Sequence, residues 1–173
     1  DAKAYVGGKT EVVDLKGAAM FPGFTDAHAH LRGIGERELT LNLEGTASVK
    51  ALVETLRARV AATPKGQMVM GRGWIETHWP EGRFPTRADL DSVSPDNPVL
   101  LGRADGHALV ANSAALKAAG ITRDTVAPAG GQILKDAKGE PTGMLVDAAM
   151  ALVEPIRPKE DRSEEHTSEL QSH

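Results

Sequence analysis

"FPGFTDAHAH", residues 21–30, is the stretch on which the reading of this chain turns. A Pro-Gly turn follows an apolar run, and a short segment then ends in two histidines one residue apart. In an extended strand, residues i and i+2 project to the same side, so His28 and His30 would present their imidazoles together. Two such rings can reach one cation at about 2.0–2.1 Å from each nitrogen. The plain alternative is a surface or hydrogen-bonded pair. With six histidines in 173 residues, about one shuffled sequence in six carries such a pair, so the spacing alone decides nothing. Its setting says more. The pair closes an apolar strand, and Asp26, on the same face, can orient an imidazole by accepting its other N–H.

The bulk of the chain suits a globular protein. Its 40% hydrophobic and 25% charged residues match ordinary domains, and 173 residues allow one such domain but not two large ones. The net charge is −4, with cations scattered among the acids. No basic stripe points to nucleic acid, and no apolar run approaches the roughly 20 residues of a membrane span. Cysteine is absent, which excludes disulfides and thiolate metal sites. The chain opens on Asp1 in mid-pattern, so a signal peptide cannot be judged and the compartment stays open.

Local signals divide the sequence. Gly7-Gly8 and Lys16-Gly17 read as turns around strand-like Glu11 to Leu15, and Ala18 to Phe21 reads as a second short strand. Thr46 or Ser48 can cap a helix to about Ala62, with Val49, Leu52, Val53, Leu56 and Val60 at helical spacing. "QMVMGRGW" (67–74) reads as a strand, "TRADLDSVSP" (86–95) holds a brief helical turn, and Val99 to Leu101 is a buried strand. Asn112 caps a short helix through Ala119, closed by Gly120. "GGQILKDAKGEPTGMLVD" (130–147) reads as a hairpin turning near Lys138-Gly139. Asp147 then caps a helix through Val153, which Pro155 stops. Strands alternating with helices predict an α/β fold. Gly130-Gly131 and Gly139 are turn residues, not a phosphate-binding loop.

Residues 162–173, "RSEEHTSELQSH", lack periodicity and match the in-frame translation of a common sequencing-library adapter. They are set aside from fold reasoning as a non-native tail, which removes His166 and His173 as ligands. The natural sequence is expected to run on past Asp161.

Two clusters are candidates for the substrate side. Trp74, His78 and Trp79 occupy one loop, where they either line a pocket or pack on their own subdomain. "RADGH" (103–107) follows a buried strand. There Asp105 is expected to accept from Arg103 or His107, and His107 either faces the pocket or belongs to a network tying the strand to the helix at Asn112.

"TEVVDLKGAAMFPGFTDAHAHL" (10–31) resembles the start of the amidohydrolase superfamily. "GRGWIETHWP", "PTRADLDSVSPDNPVLLGRADGHALVANSAALKAAGIT" and "GGQILKDAKGEPTGMLVDAAM" resemble its family 3 branch. The resemblance runs in order from Glu11 to Val153. It implies a β-sandwich remnant (1–20), the first strand of a metal-dependent hydrolase TIM barrel with the His pair at its catalytic end (21–35), and an α/β insertion capping the pocket (36–161). It further implies hydrolysis of non-peptide carbon–nitrogen bonds in a small amide, formamide or cyclic amide. One or two divalent ions, with zinc expected, would acidify a bound water to a pKa of about 7. His28 and His30 would be ligands; the other ligands and the proton-shuttle Asp of the family lie on later strands. A catalytic zinc normally has three protein ligands, so this piece by itself is expected to be inactive. Deaminase or cyclic-imide hydrolase chemistry on the same fold, and a non-catalytic metal-binding module, are the rival readings.

Overall fold

The computed structural model describes residues 2–23, 35 and 39–158. Contacts divide the chain into a small unit, residues 1–30, and a large one, residues 31–173.

In the large unit, helix α1 (Val49–Ala61) shows how sequence becomes structure. Ser48 sits in extended backbone and its hydroxyl accepts the Ala51 N–H at 3.0 Å, satisfying one donor of the first turn. The apolar spacing then puts Val49, Leu52 and Leu56 on one buried stripe. Helix α2 (Arg87–Asp91) begins where the Asp89 carboxylate accepts the Thr86 N–H at 2.7 Å. Helix α3 (Ser113–Ala118) starts at Asn112, whose Oδ1 accepts the Ala115 N–H, and ends before Gly120.

Six strands form one mixed sheet: β1 (Leu41–Asn42), β2 (Val69–Trp74), β3 (Val99–Arg103), β4 (Ala108–Ala111), β5 (Gly131–Lys135) and β6 (Pro141–Asp147). Their spatial order is β1-β2-β3-β4-β6-β5. The first three run parallel, with α1 between β1 and β2 and α2 between β2 and β3. The remaining pairings are antiparallel. Alternation sorts the side chains into two layers. Val69, Val99, Leu101, Val110 and Met144 pack with Leu52, Leu56 and Leu90 on one face. Leu100, Leu109, Ala111 and Leu145 pack with Ala115, Leu116, Ala149 and Val153 on the other. Helical segments therefore cover both faces, the arrangement that a sheet buried on two sides requires.

One irregularity decides where a large side chain goes. Strict alternation would put Trp74 on the face of Met70 and Arg72. The register slips between Arg72 and Trp74, at Gly73, whose φ is +112°. A Cβ there would lie 2.7 Å from Glu44 Cγ, so glycine alone fits. The bulge turns Trp74 into the core containing Val69 and Leu101.

Two expectations need correction. After Asp147 the chain forms not an α-helix stopped by Pro155 but a 3₁₀ segment, Ala148–Ile156, that contains it. An N-cap needs extended backbone. Asp147 instead has φ +48° and ψ −122° and caps nothing with its side chain. In the small unit the turns at Gly8-Lys9 and Lys16-Gly17 are present, but Glu11 to Leu15 and Ala18 to Phe21 form no strand. These residues are exposed and have no ladder partner among the described residues; β-propensity without a pairing edge makes no sheet.

Candidate active site

The parallel strands β2 and β3 end together, with Trp74 opposite Arg103. Because β4 is antiparallel to both β3 and β6, it starts at this rim and β6 finishes there. Topology thus gathers the residues after β2, the β3–β4 loop and the end of β6 at the carboxyl ends of the parallel strands. That is the edge where α/β proteins place ligands.

Arg103 organises the rim. Its Nε and Nη2 donate to Glu76 Oε2 and Oε1 at 2.8 and 2.9 Å, a two-pronged clasp between side chains 17% and 15% exposed. Its Nη1 donates to Asp105. The hydrogen-bonded Arg103 guanidinium holds the Glu76 carboxyl below its ordinary value despite partial burial. Burial pushes Asp105 up, but the His107 backbone N–H and the Arg103 charge outweigh it, and the net shift is downward. Both carboxylates are therefore kept as anions.

His107 is held from three directions. Its N–H donates to Asp105 Oδ1 at 3.0 Å, its C=O accepts the Asp147 N–H at 2.9 Å, and its Nδ1 lies 2.9 Å from Asp147 Oδ1. The ring itself is open, 76% exposed. Asp147 makes this pair from backbone that L-residues rarely adopt, at a cost of about 1–3 kcal/mol. Arg103, Asp105 and His107 are thus brought together as expected. The network ties β3 to the loop after β2 and to the end of β6, not to the helix at Asn112.

Trp74 is elsewhere. It has no exposed surface, and its indole N–H donates to Leu101 C=O at 2.8 Å. Trp79 is likewise buried, with its N–H on Thr46 C=O, and the two rings lie 6.0 Å apart. These indoles pack their own subdomain, so Trp74 lines the core and not a substrate pocket. His78 is exposed.

Glu76 and Asp147 went unrecognised in the sequence. A signal for Glu76 existed: aligning the two parallel strands sets Trp74 opposite Arg103 and leaves the acid two residues further on at the same strand ends. Nothing local marks Asp147, since an acid before "AAMALV" reads as a helix cap.

His28, His30 and Asp26 lie outside the described residues. Among the described residues no group of three or more His, Asp or Glu side chains can hold a metal ion. At the rim both carboxylates hydrogen-bond to Arg103. A cleft of about 210 Å³ lined by Arg59, Thr63, Met68 and Met70 sits at the amino-terminal end of β2, opposite the rim. It carries no comparable polar constellation.

This mixed α/β fold is shared with a metal-dependent hydrolase from Pyrococcus horikoshii. The TM-score is 0.52 at 26% identity, covering 78% of this chain and 24% of that one. The sequence pattern described as "Amidohydrolase family", the branch numbered 3, is matched over residues 11–169, and the chain belongs to that family. Similar proteins include "Putative amidohydrolase YtcJ" of Bacillus subtilis, 47% identical over 145 residues, or 84% of this chain and 27% of that protein. N-substituted formamide deformylase of Arthrobacter pascens is 39% identical over 145 residues, 83% of this chain and 27% of that protein. The chain spans about a quarter of the length of the curated relatives it matches. No helix among the described residues is long and apolar enough to cross a membrane.

Proposed function

We propose that this chain is a portion of a metal-dependent hydrolase of non-peptide carbon–nitrogen bonds, acting on a small amide, formamide or cyclic amide. The observation that carries this is the family pattern over residues 11–169, a stretch that includes the His28–His30 pair. A relative named for deformylation of N-substituted formamides supports the substrate class. In this reading His28 and His30 hold a divalent cation, zinc as the expected ion, Asp26 orients one of the imidazoles, and sequence outside these residues supplies the remaining ligands. When bound, the cation acts as a Lewis acid on the carbonyl and makes water available as a nucleophile near neutral pH. Residues 21–35 would be the first barrel strand and 36–161 the α/β insertion, with Arg103, Asp105 and His107 as its substrate-side candidates.

The test is made on the uninterrupted reading frame. The purified enzyme should hydrolyse N-substituted formamides or related amides, lose activity to a chelator and regain it with Zn²⁺. His28→Ala or His30→Ala should reduce metal content and lower kcat by about a hundredfold or more. The 173-residue chain alone should show no turnover. A chelator-resistant enzyme, or one unaffected by both substitutions, would overturn the reading.

A further inference from the structure

We propose that His107 accepts a hydrogen bond through Nε2 from the N–H of a secondary-amide substrate, with Asp147 as the positioning residue that fixes its tautomer. The proposal rests on the hydrolase reading above and assigns it a determinant of specificity.

A carboxylate only accepts, so Nδ1 at 2.9 Å from Asp147 Oδ1 must carry the hydrogen. In the neutral ring this leaves Nε2 with a lone pair, and Nε2 has no partner among the described residues. The backbone of His107 is tied down on both sides, by Asp105 and by Asp147, so the ring is aimed and not merely tethered. An exposed pair of this kind adds little stability, yet Asp147 adopts φ +48° and ψ −122° to make it. The same residue donates its backbone N–H to His107 C=O, so main chain and side chain of Asp147 hold the ring from one position.

Position and chemistry narrow the role. The ring stands at the carboxyl ends of the parallel strands. Arg103 beside it already serves Glu76 and Asp105. The Arg72 guanidinium, next to Gly106, is a donor at this rim, and His107 Nε2 is an acceptor. A carbon–nitrogen substrate offers a carbonyl, which is itself an acceptor, and, when secondary, one N–H. Of these, the N–H is the group that matches Nε2.

Two measurements test this. Imidazole ¹⁵N NMR of the chain should show His107 as the Nδ1–H tautomer, and Asp147→Asn, whose amide can donate to Nδ1, should lower that population. A wild-type Nε2–H tautomer would overturn the proposal directly. In the full-length enzyme, kcat/KM should favour a secondary amide over its N-methyl tertiary counterpart by about tenfold or more. His107→Leu and Asp147→Asn should each collapse that ratio toward one, with melting temperatures close to wild type. If both variants slow the two amides equally, the role is structural and the proposal fails while the hydrolase reading stands. A wild-type enzyme that hydrolyses neither amide defeats the hydrolase reading, and the proposal with it.

Discussion

Replacing Asn112 is expected to expose how this sheet is held to its helices. The side chain has no exposed surface, and every polar valence is used. Its Oδ1 accepts the Val99 N–H and the Ala115 N–H, each at 2.9 Å, joining the start of β3 to the first turn of α3. Its Nδ2 donates to Asn97 C=O at 2.8 Å and to Ser94 C=O at 2.9 Å, pinning the loop before β3. Asn112→Ala removes a helix cap worth about 1 kcal/mol. It also leaves a buried N–H and two carbonyls without these partners, at about 1–3 kcal/mol per unsatisfied group before water enters. A net loss of about 3–5 kcal/mol follows, a large share of the roughly 5–15 kcal/mol by which domains are stable. Urea melts followed by the fluorescence of buried Trp74 and Trp79 would register it as a midpoint lowered by about 2 M, for an m-value near 2 kcal/mol per M. Asn112→Asp is the sharper test. Aspartate caps as well as asparagine and keeps Oδ1, but it turns a second acceptor, and a buried charge, toward the Ser94 and Asn97 carbonyls. It should be at least as damaging as alanine. An aspartate variant as stable as wild type would refute the reasoning, because the residue would then act as a cap and nothing more.

Gly143 has φ +102°, and a Cβ there would lie 2.4 Å from Ala111 C=O and 2.9 Å from the Arg87 N, so Gly143→Ala should cost more than about 3 kcal/mol. Gly82→Ala, with φ +58° and open space around it, should cost about 1 kcal/mol in the same melts. Trp74→Phe removes the indole bond to the Leu101 carbonyl and leaves a void, so a loss of about 2–3 kcal/mol is expected, with no selective change in KM of the full-length enzyme. Arg103 depresses the Glu76 carboxyl below 4.5 in the folded chain. Its stabilising effect is therefore complete above the unfolded value and lost as pH falls through the lower folded one. Glu76→Gln should flatten the acid limb of stability against pH, leaving the part that Asp89 and Asp105, also depressed, contribute.

Much of the large unit could be read directly. Ser48, Asn112 and Gly120 mark helix ends because capping is settled by atoms within about four residues. The β5–β6 hairpin follows from its Gly-containing turn, and β3 from an apolar run too short for a helix. The rim was legible in part. "RADGH" announced a polar cluster, and Asp105 does accept from both Arg103 and His107. Its other half, Glu76 and Asp147, belongs to segments 27 and 40 residues away along the chain, which no local pattern connects.

The sequence by itself determined the family, the elements α1, β2, α2, β3, α3, β5 and β6 in order, and the ends of the α-helices. Each of these depends on neighbours along the chain or on motifs kept in register with known relatives. Only the tertiary structure decided which side chains meet. A one-residue slip at Gly73 sends Trp74 into the core, and the parallel register of β2 and β3 sets Glu76 against Arg103. The closing ladder bond of β4 to β6 draws Asp147 away from capping and onto His107. Side chains alternate with a period of two along a strand, so pairing register governs which face a residue joins and what it touches. Register is set by the packing of distant segments, which no short window of sequence contains.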